Sequence, residues 1–350
     1  MLWVYVPRGA SLERVPIESG VAVAENAVWF DLVNPNLEED KAVERQVGIS
    51  IPTREEMQEI EVTSRLYVEN GARYMTATLM CQSDTMTPKT TPVTFILSDH
   101  RLITVRYDDP RPFMIVGNKL ARLCPPAVTG EAVLIDLLDA VIDRAADILE
   151  RIGSEVDQIS HDIFEPEAEG ADRTRSYNEI LKAIGKKGDL ASKVRESLVS
   201  IGRLLLFLAN EADSMRWAKE QRAQVRGMQR DVHSLSDHAA YLSNKIQFLL
   251  DAMLGVVTIE QNNVIKIFFC GGRGADAAHA DCVDLWHEFQ AHARARLVAG
   301  VSNRHRADAV RSRSAVPFLQ VEEVALSRTS IAEEGTITPG AFALRRADLR

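Results

Sequence analysis

The residue types that bind zinc, thiolate and imidazole, gather late in the chain as Cys270, His279, Cys282, His287 and His292. Their spacing argues against a metal site, because there is no Cys-x-x-Cys and the paired histidines His287 and His292 stand alone. His100 is the right type for a general base. It sits in Ser98-Asp99-His100, a short polar connection between two β-rich runs with no nucleophile motif beside it, and reads as a solvated turn residue. Asp136, Asp139, Asp143, Asp147, Glu150 and Asp157 share one side of a helical pattern, where acidic side chains ordinarily form a solvating surface. No Gly-rich phosphate loop, Gly-x-Ser-x-Gly or His-Glu-x-x-His occurs, so the chain does not read as an enzyme.

The elements that would position such residues follow from periodicity. Leu2–Val6 and Ala27–Val33 have strand composition, and the Asn34-Pro35-Asn36 turn can open an acidic helix near Leu37. Ile51–Glu61 reads as a second short helix, with Pro52 and Thr53 at its start and acids in its first turn. Ala72–Met80 and Thr91–Tyr107 continue the sheet, the latter as a hairpin turning at Ser98-Asp99-His100. A long helix begins near Gly130, its apolar stripe running Ile135, Leu138, Ile142, Ala145, Leu149, Ile152, Val156, Ile159 and Ile163. Glu165-Pro166-Glu167 closes it. The next helical region covers about Tyr177–Ala212, with Gly185 and Gly188 expected to loosen it, and the two form an antiparallel hairpin.

From Ser234 to Phe268 the apolar residues Leu235, Ala239, Leu242, Ile246, Leu249, Met253 and Val256 alternate steps of four and three, a coiled-coil seam on one helix without proline. Such a helix is about 50 Å long at roughly 1.5 Å per residue, more than a globular domain needs, and suits a stalk.

Composition bounds the rest. The 350 residues are 46% hydrophobic with a formal net charge of -9, which disfavours nucleic acid as a partner and suits cations. Four cysteines, Cys81, Cys124, Cys270 and Cys282, make no disulfide framework and fit a reducing cytosol. The amino terminus lacks the basic and apolar regions of a signal peptide.

LLDAMLG at Leu249–Gly255 and TIEQNNVIKIF at Thr258–Phe268 resemble the end of the stalk helix of the CorA family of magnesium and cobalt channels, and NAVWFDLVNP at Asn26–Pro35 resembles its amino-terminal block. The resemblance covers residues 1–268. It implies an α+β fold: an N-terminal mixed α/β cytoplasmic domain at 1–125, a long antiparallel helical hairpin at 126–233, and a stalk helix at 234–268 leading to a pore. It further implies a homopentamer that passes Mg2+ and Co2+, held closed by divalent cations bound between subunits. Asn262 corresponds to the family's polar ring at the cytoplasmic mouth and Phe268 to its hydrophobic constriction; without the family, Asn262 is a cap or polar break and Phe268 a core residue. Asp231, Asp237 and Asp251, in or just before the stalk, are the candidate metal ligands, none aligned to an intersubunit site.

After Phe268 the character changes. Residues 269–350 contain eleven Arg, no Lys and sixteen Ala, and no window there approaches the roughly eighteen apolar residues of a membrane helix. Alanine and arginine excess is what a GC-rich gene gives when read out of frame. The genetic code allows LWHEFQAHARARLV at Leu285–Val298 to be spelled by a sequence that reads YGMNFKHMPELDW one nucleotide later, the family signature and its sequel. The same shift accommodates apolar spans on both sides and a stop codon across Leu326–Ser327. One extra T around the codons for Phe268 and Phe269 is the simplest lesion. The chain as written is therefore expected to carry a disordered, out-of-frame tail at 269–350, to lack both spans, to be cytoplasmic and not to conduct ions. A soluble, metal-responsive oligomeric remnant is the alternative function.

Overall fold

The computed structural model describes residues 1–17, 24, 26–122, 128–164 and 171–271. Its strands are β1 (Leu2–Arg8), β2 (Ser11–Ile17), β3 (Trp29–Val33), β4 (Leu66–Glu69), β5 (Ala72–Cys81), β6 (Lys89–Ser98) and β7 (Arg101–Arg106). They form one sheet in the order β2-β1-β3-β7-β6-β5-β4. β3 and β7 pair in parallel, Trp29 opposite Leu102, and the other neighbours are antiparallel. The β6–β7 hairpin turns on Asp99 and His100, both at positive φ, 44° and 64°, which matches the twist of a two-residue turn. β2 and β4, the two edges, were not foreseen: SLERVPI and LYVE are short, charged segments without a continuous apolar run.

The helices among the described residues follow the same local rules: α1 (Leu37–Val47), α2 (Arg54–Met57), α3 (Val62–Arg65), α4 (Arg111–Arg122), α5 (Gly130–Phe164), α6 (Ala171–Ser214) and α7 (Lys219–Gly271). Asn36 caps α1, its side chain accepting from the Glu38 and Glu39 N–H groups while the Glu39 carboxylate accepts the Asn36 N–H. Thr53 and Glu56 cap α2 in the same way. The second short helix is shorter than expected. Met57 alone is buried from it and Ile60 stands 88% exposed, so no apolar stripe carries the helix on to Glu61.

The sheet is covered on both faces, because neighbouring strand residues point to opposite sides. Leu2, Val4, Phe30, Leu32 and Ile103 pack with Val43 of α1 and Met57 of α2. Trp29, Met75, Phe95 and Leu102 pack on the other side with α4, α5 and α6. Every stripe residue expected on α5, from Ile135 to Ile163, is buried. Gly130, the first residue of α5, donates to the His100 carbonyl at 2.6 Å and lies so close that a Cβ there would meet the Arg101 carbonyl carbon at 2.5 Å.

α6 corrects one expectation: it is continuous across Gly185 and Gly188. Gly188 is a contact rather than a weak point: it packs on Ile246 of α7, which a Cβ there would meet at an ordinary van der Waals distance of 3.6 Å. α7 begins earlier than Ser234, directly after a turn at Arg216 and Trp217. Val232, Ala239, Leu242, Ile246, Leu249 and Met253 are buried, and salt bridges join Lys245 to Asp157 of α5 and Lys187 of α6 to Glu155 of α5. The chain divides into two units, Met1–Gln261 and Asn262–Arg350. Cys270 belongs to the helical backbone of α7 with its side chain outside the described residues; His279, Cys282, His287 and His292, the tail from 272 and the shifted frame lie outside them altogether, as does Cys124.

Candidate functional site

α7 has two faces with opposite tasks. Its heptad seam is locked into the subunit, and the residues half a turn away stand in solvent: Asp237, Tyr241, Asn244, Phe248, Asp251, Gly255 and Thr258, again at steps of three and four. Tyr241 and Phe248 are 58% and 61% exposed. A stripe mixing carboxylates, amide, glycine and two bare aromatic rings is not an ordinary solvated face, where large apolar side chains occur singly. Carried forward at the same spacing, the pattern reaches Asn262, which is exposed. Phe268 belongs to the helical backbone of α7, and its side chain lies outside the described residues.

The structure separates the three candidate metal ligands. Asp237 sits 3.8 Å from the His233 imidazole, and Asp251 accepts from Gln247 at 3.2 Å, each pair one helical turn apart. Asp231 instead faces the acidic side of α5. There, partial burial chiefly pushes the Asp139 carboxyl above its ordinary range, and Asp143, Asp136 and Asp231 add to the shift. Among the described residues no three His, Cys, Asp or Glu side chains are placed to hold a metal ion. Within one copy, the exposed acids of α7 offer single carboxylates, which suit a hydrated cation shared with other groups and not a coordination cage.

The acidic side of α5 is partly committed. Asp136 pairs with Lys119 at 3.1 Å, Asp147 lies 3.9 Å from Arg144, and Asp157 bonds Lys245. His100 is a solvated turn residue, 77% exposed, and it also places its Nδ1 2.5 Å from the carboxylate of Glu131. That carboxylate is only 8% exposed, so the turn is tied to the first turn of α5. Sequence spacing could not disclose the pair, since Glu131 lies 31 positions away.

Asp31 and Arg106 form the most deeply buried ion pair among the described residues, 1% and 5% exposed. The guanidinium Nε and Nη2 donate to the two carboxylate oxygens at 3.0 and 2.9 Å, and Thr104 Oγ1 adds a bond at 2.8 Å. This pair fixes the parallel β3–β7 contact at the middle of the sheet. It is architecture and not a site.

One described helix, α7, is long and apolar enough to cross a membrane by length and composition. The expected loss of both spans concerns residues 269–350 and lies outside the described residues. The apolar residues of α7 are periodic and not continuous, so those of the seam are already covered by α5 and α6.

A family described as CorA-like Mg2+ transporter protein matches residues 24–268. The magnesium transport protein CorA of Escherichia coli strain K12 is 31% identical over 270 residues, 77% of this chain and 82% of that protein. Its counterpart from Pasteurella multocida is 27% identical over 268 residues. Among solved structures, the soluble domain of CorA from Methanocaldococcus jannaschii is similar with a TM-score of 0.59 at 16% identity, covering 73% of this chain and 97% of that one. The complete CorA magnesium transporter of the same organism gives 0.60 at 14% identity, covering 80% and 88%. At these identities the structural likeness speaks for the fold alone.

Proposed function

The chain belongs to the family of CorA-like Mg2+ transporter proteins, and on that premise we propose that residues 1–268 are the cytoplasmic and pore-entry part of a homopentameric Mg2+ channel that also admits Co2+. Members of this family are transporters and not enzymes. The observation that carries the reading is the solvent-facing stripe of α7. A helix that buries one seam in its own subunit and leaves Tyr241 and Phe248 bare on the other side is built to meet copies of itself. Around a shared axis, Asp237 and Asp251 become rings of carboxylate and Asn262 a ring of amide.

Such rings suit this cargo. Mg2+ dehydrates reluctantly and keeps several waters, so amide and carboxylate oxygens guide the hydrated ion without stripping it. Asn262 is the polar ring at the mouth, and Phe268 the hydrophobic constriction that closes by excluding water. Asp231, Asp237 and Asp251 are the candidate ligands through which cytoplasmic Mg2+ holds the closed form. Single exposed carboxylates fit that role only between copies, since one copy holds no three-ligand group among the described residues.

The transporting form needs membrane helices after Phe268, and the proposal includes the shifted frame. The family match stops at residue 268, the position where composition changes, which supports it. In the form written, the chain does not conduct and is a cytoplasmic, metal-responsive oligomer; the repaired form resides in the cell membrane. Light scattering and limited proteolysis of the full chain across a Mg2+ titration test the sensor half. Mg2+ is expected to increase the oligomer and protect it from protease, and Asp251→Asn to raise the Mg2+ concentration required. A chain that stays monomeric, with unchanged cleavage at every Mg2+ concentration, contradicts the reading.

A further inference from the structure

The loop joining β5 to β6 carries a charge arrangement that neither the fold nor cation handling uses. Asp84, on this exposed loop, is reached by three guanidinium groups from two helices. Arg144 Nη2 of α5 donates to both carboxylate oxygens at 2.8 and 2.6 Å and to Ser83 Oγ at 2.8 Å. Arg151, two turns along the same helix, bonds Asp84 Oδ1 and donates to the Ser83 carbonyl at 2.8 Å. Arg111, in the first turn of α4, donates to Asp84 Oδ2 at 3.2 Å. Lys193 of α6 holds the far end of the loop by donating to the Pro88 carbonyl at 2.9 Å.

The charges do not balance. Three positive groups converge on one carboxylate, and Asp147 lies 3.9 Å from Nη1 of Arg144, too far for a hydrogen bond. Pinning a surface loop needs one such bond, and an exposed pair of this kind adds little stability. Bringing guanidinium groups together costs energy unless anionic charge lies between them. The environment is strongly anion-seeking: hydrogen bonding from Arg151 first, and then from Arg144 against a partial burial cost, holds the Asp84 carboxyl down at about 2. Arg144 is only 16% exposed, its stem set among Val141, Ala145, Leu79 and Pro112, so the central donor is preorganised.

We propose that Arg111, Arg144 and Arg151 form an oxyanion site for a phosphate group, and that Asp84 is its internal stand-in, carried on a loop that an arriving phosphate displaces. A phosphate dianion offers twice the charge of a carboxylate and three or more acceptor oxygens, which matches three planar donors better than two oxygens do. The tethered carboxylate competes at an effective concentration of roughly millimolar order, so phosphate binds the unaltered chain weakly. Removing the carboxylate uncovers the site.

Thermal unfolding of the full chain at constant ionic strength, with sodium chloride exchanged for inorganic phosphate, tests this. Asp84→Ala is expected to lower the midpoint in chloride and to regain most of it in phosphate, with phosphate affinity at least about tenfold above that of the unaltered chain. Adding Arg144→Gln and Arg151→Gln is expected to abolish the recovery. Asp84→Asn, which keeps the side-chain volume and one acceptor oxygen while removing the charge, gives the same comparison should the alanine variant fold poorly. Phenyl phosphate separates the sources: recovery with it assigns the site to phosphate esters, and recovery with the inorganic ion alone assigns it to free phosphate. The proposal is overturned if Asp84→Ala and Asp84→Asn respond to phosphate no more than the unaltered chain, or if the response survives loss of both arginines.

Discussion

Single side chains in this protein act through partners far away in sequence. Arg106 is held in the core by Asp31, 75 residues earlier, so Asp31→Ala removes its buried bidentate partner and leaves the guanidinium only the exposed Asp109 carboxylate at Nη1. The expected loss is about 3–5 kcal/mol of unfolding free energy, measured by urea titration. Asp40 shows the opposite balance. Burial chiefly, then Glu44 and Glu39, pushes its carboxyl from 3.8 up to about 6. The folded state therefore holds that proton more tightly than the unfolded chain does, and stability from this group is present at acid pH and lost as pH rises through the window from 3.8 to about 6. Asp40→Asn is expected to raise the melting midpoint at neutral pH, with the advantage vanishing near pH 4 in a melt series. Little at this scale was legible in the sequence. Asp31 stood inside the quoted NAVWFDLVNP block without disclosing its partner, and His100 gave no sign of Glu131, because side-chain pairing depends on strand register and helix docking that no local pattern encodes.

Elements were far more legible, because their signal is periodic. The α5 stripe from Ile135 to Ile163 and the α7 seam from Leu235 to Val256 are where spacing put them, since a helix repeats its buried face every three or four residues. Signals without period failed: the charged edge strands β2 and β4, the early end of α2 at Met57, and the role of Gly188 as a contact for α7. The two faces of α7 give a sharp comparison between adjacent residues. Leu249 is 1% exposed and Phe248 61%. Leu249→Ala is expected to cost about 2–5 kcal/mol of subunit stability in denaturant titration. Phe248→Ala should stay within about 0.5 kcal/mol in the same assay while weakening self-association by sedimentation. Equal losses at both positions would mean that the exposed face is not an assembly face. On the candidate site, periodicity placed Asp237 and Asp251 on the stalk and the family resemblance singled out Asn262; that all three acids stand exposed, with Asp231 near enough to α5 to act on Asp139, required the packing of α5 against α7.

At the scale of the molecule, a sheet domain and three long helices make a family fold whose last helix points its polar stripe outward, and whose family match ends where lysine disappears from the chain. Transport then depends on what the codons after Phe268 encode. The direct test is Mg2+ uptake by transport-deficient cells expressing either the chain as written or the same gene with one nucleotide removed at the codons for Phe268 and Phe269. The expected result is uptake with the repaired frame alone, lost again on Asn262→Leu. Uptake by the unrepaired chain, or none from a repaired chain that reaches the membrane, would contradict the account.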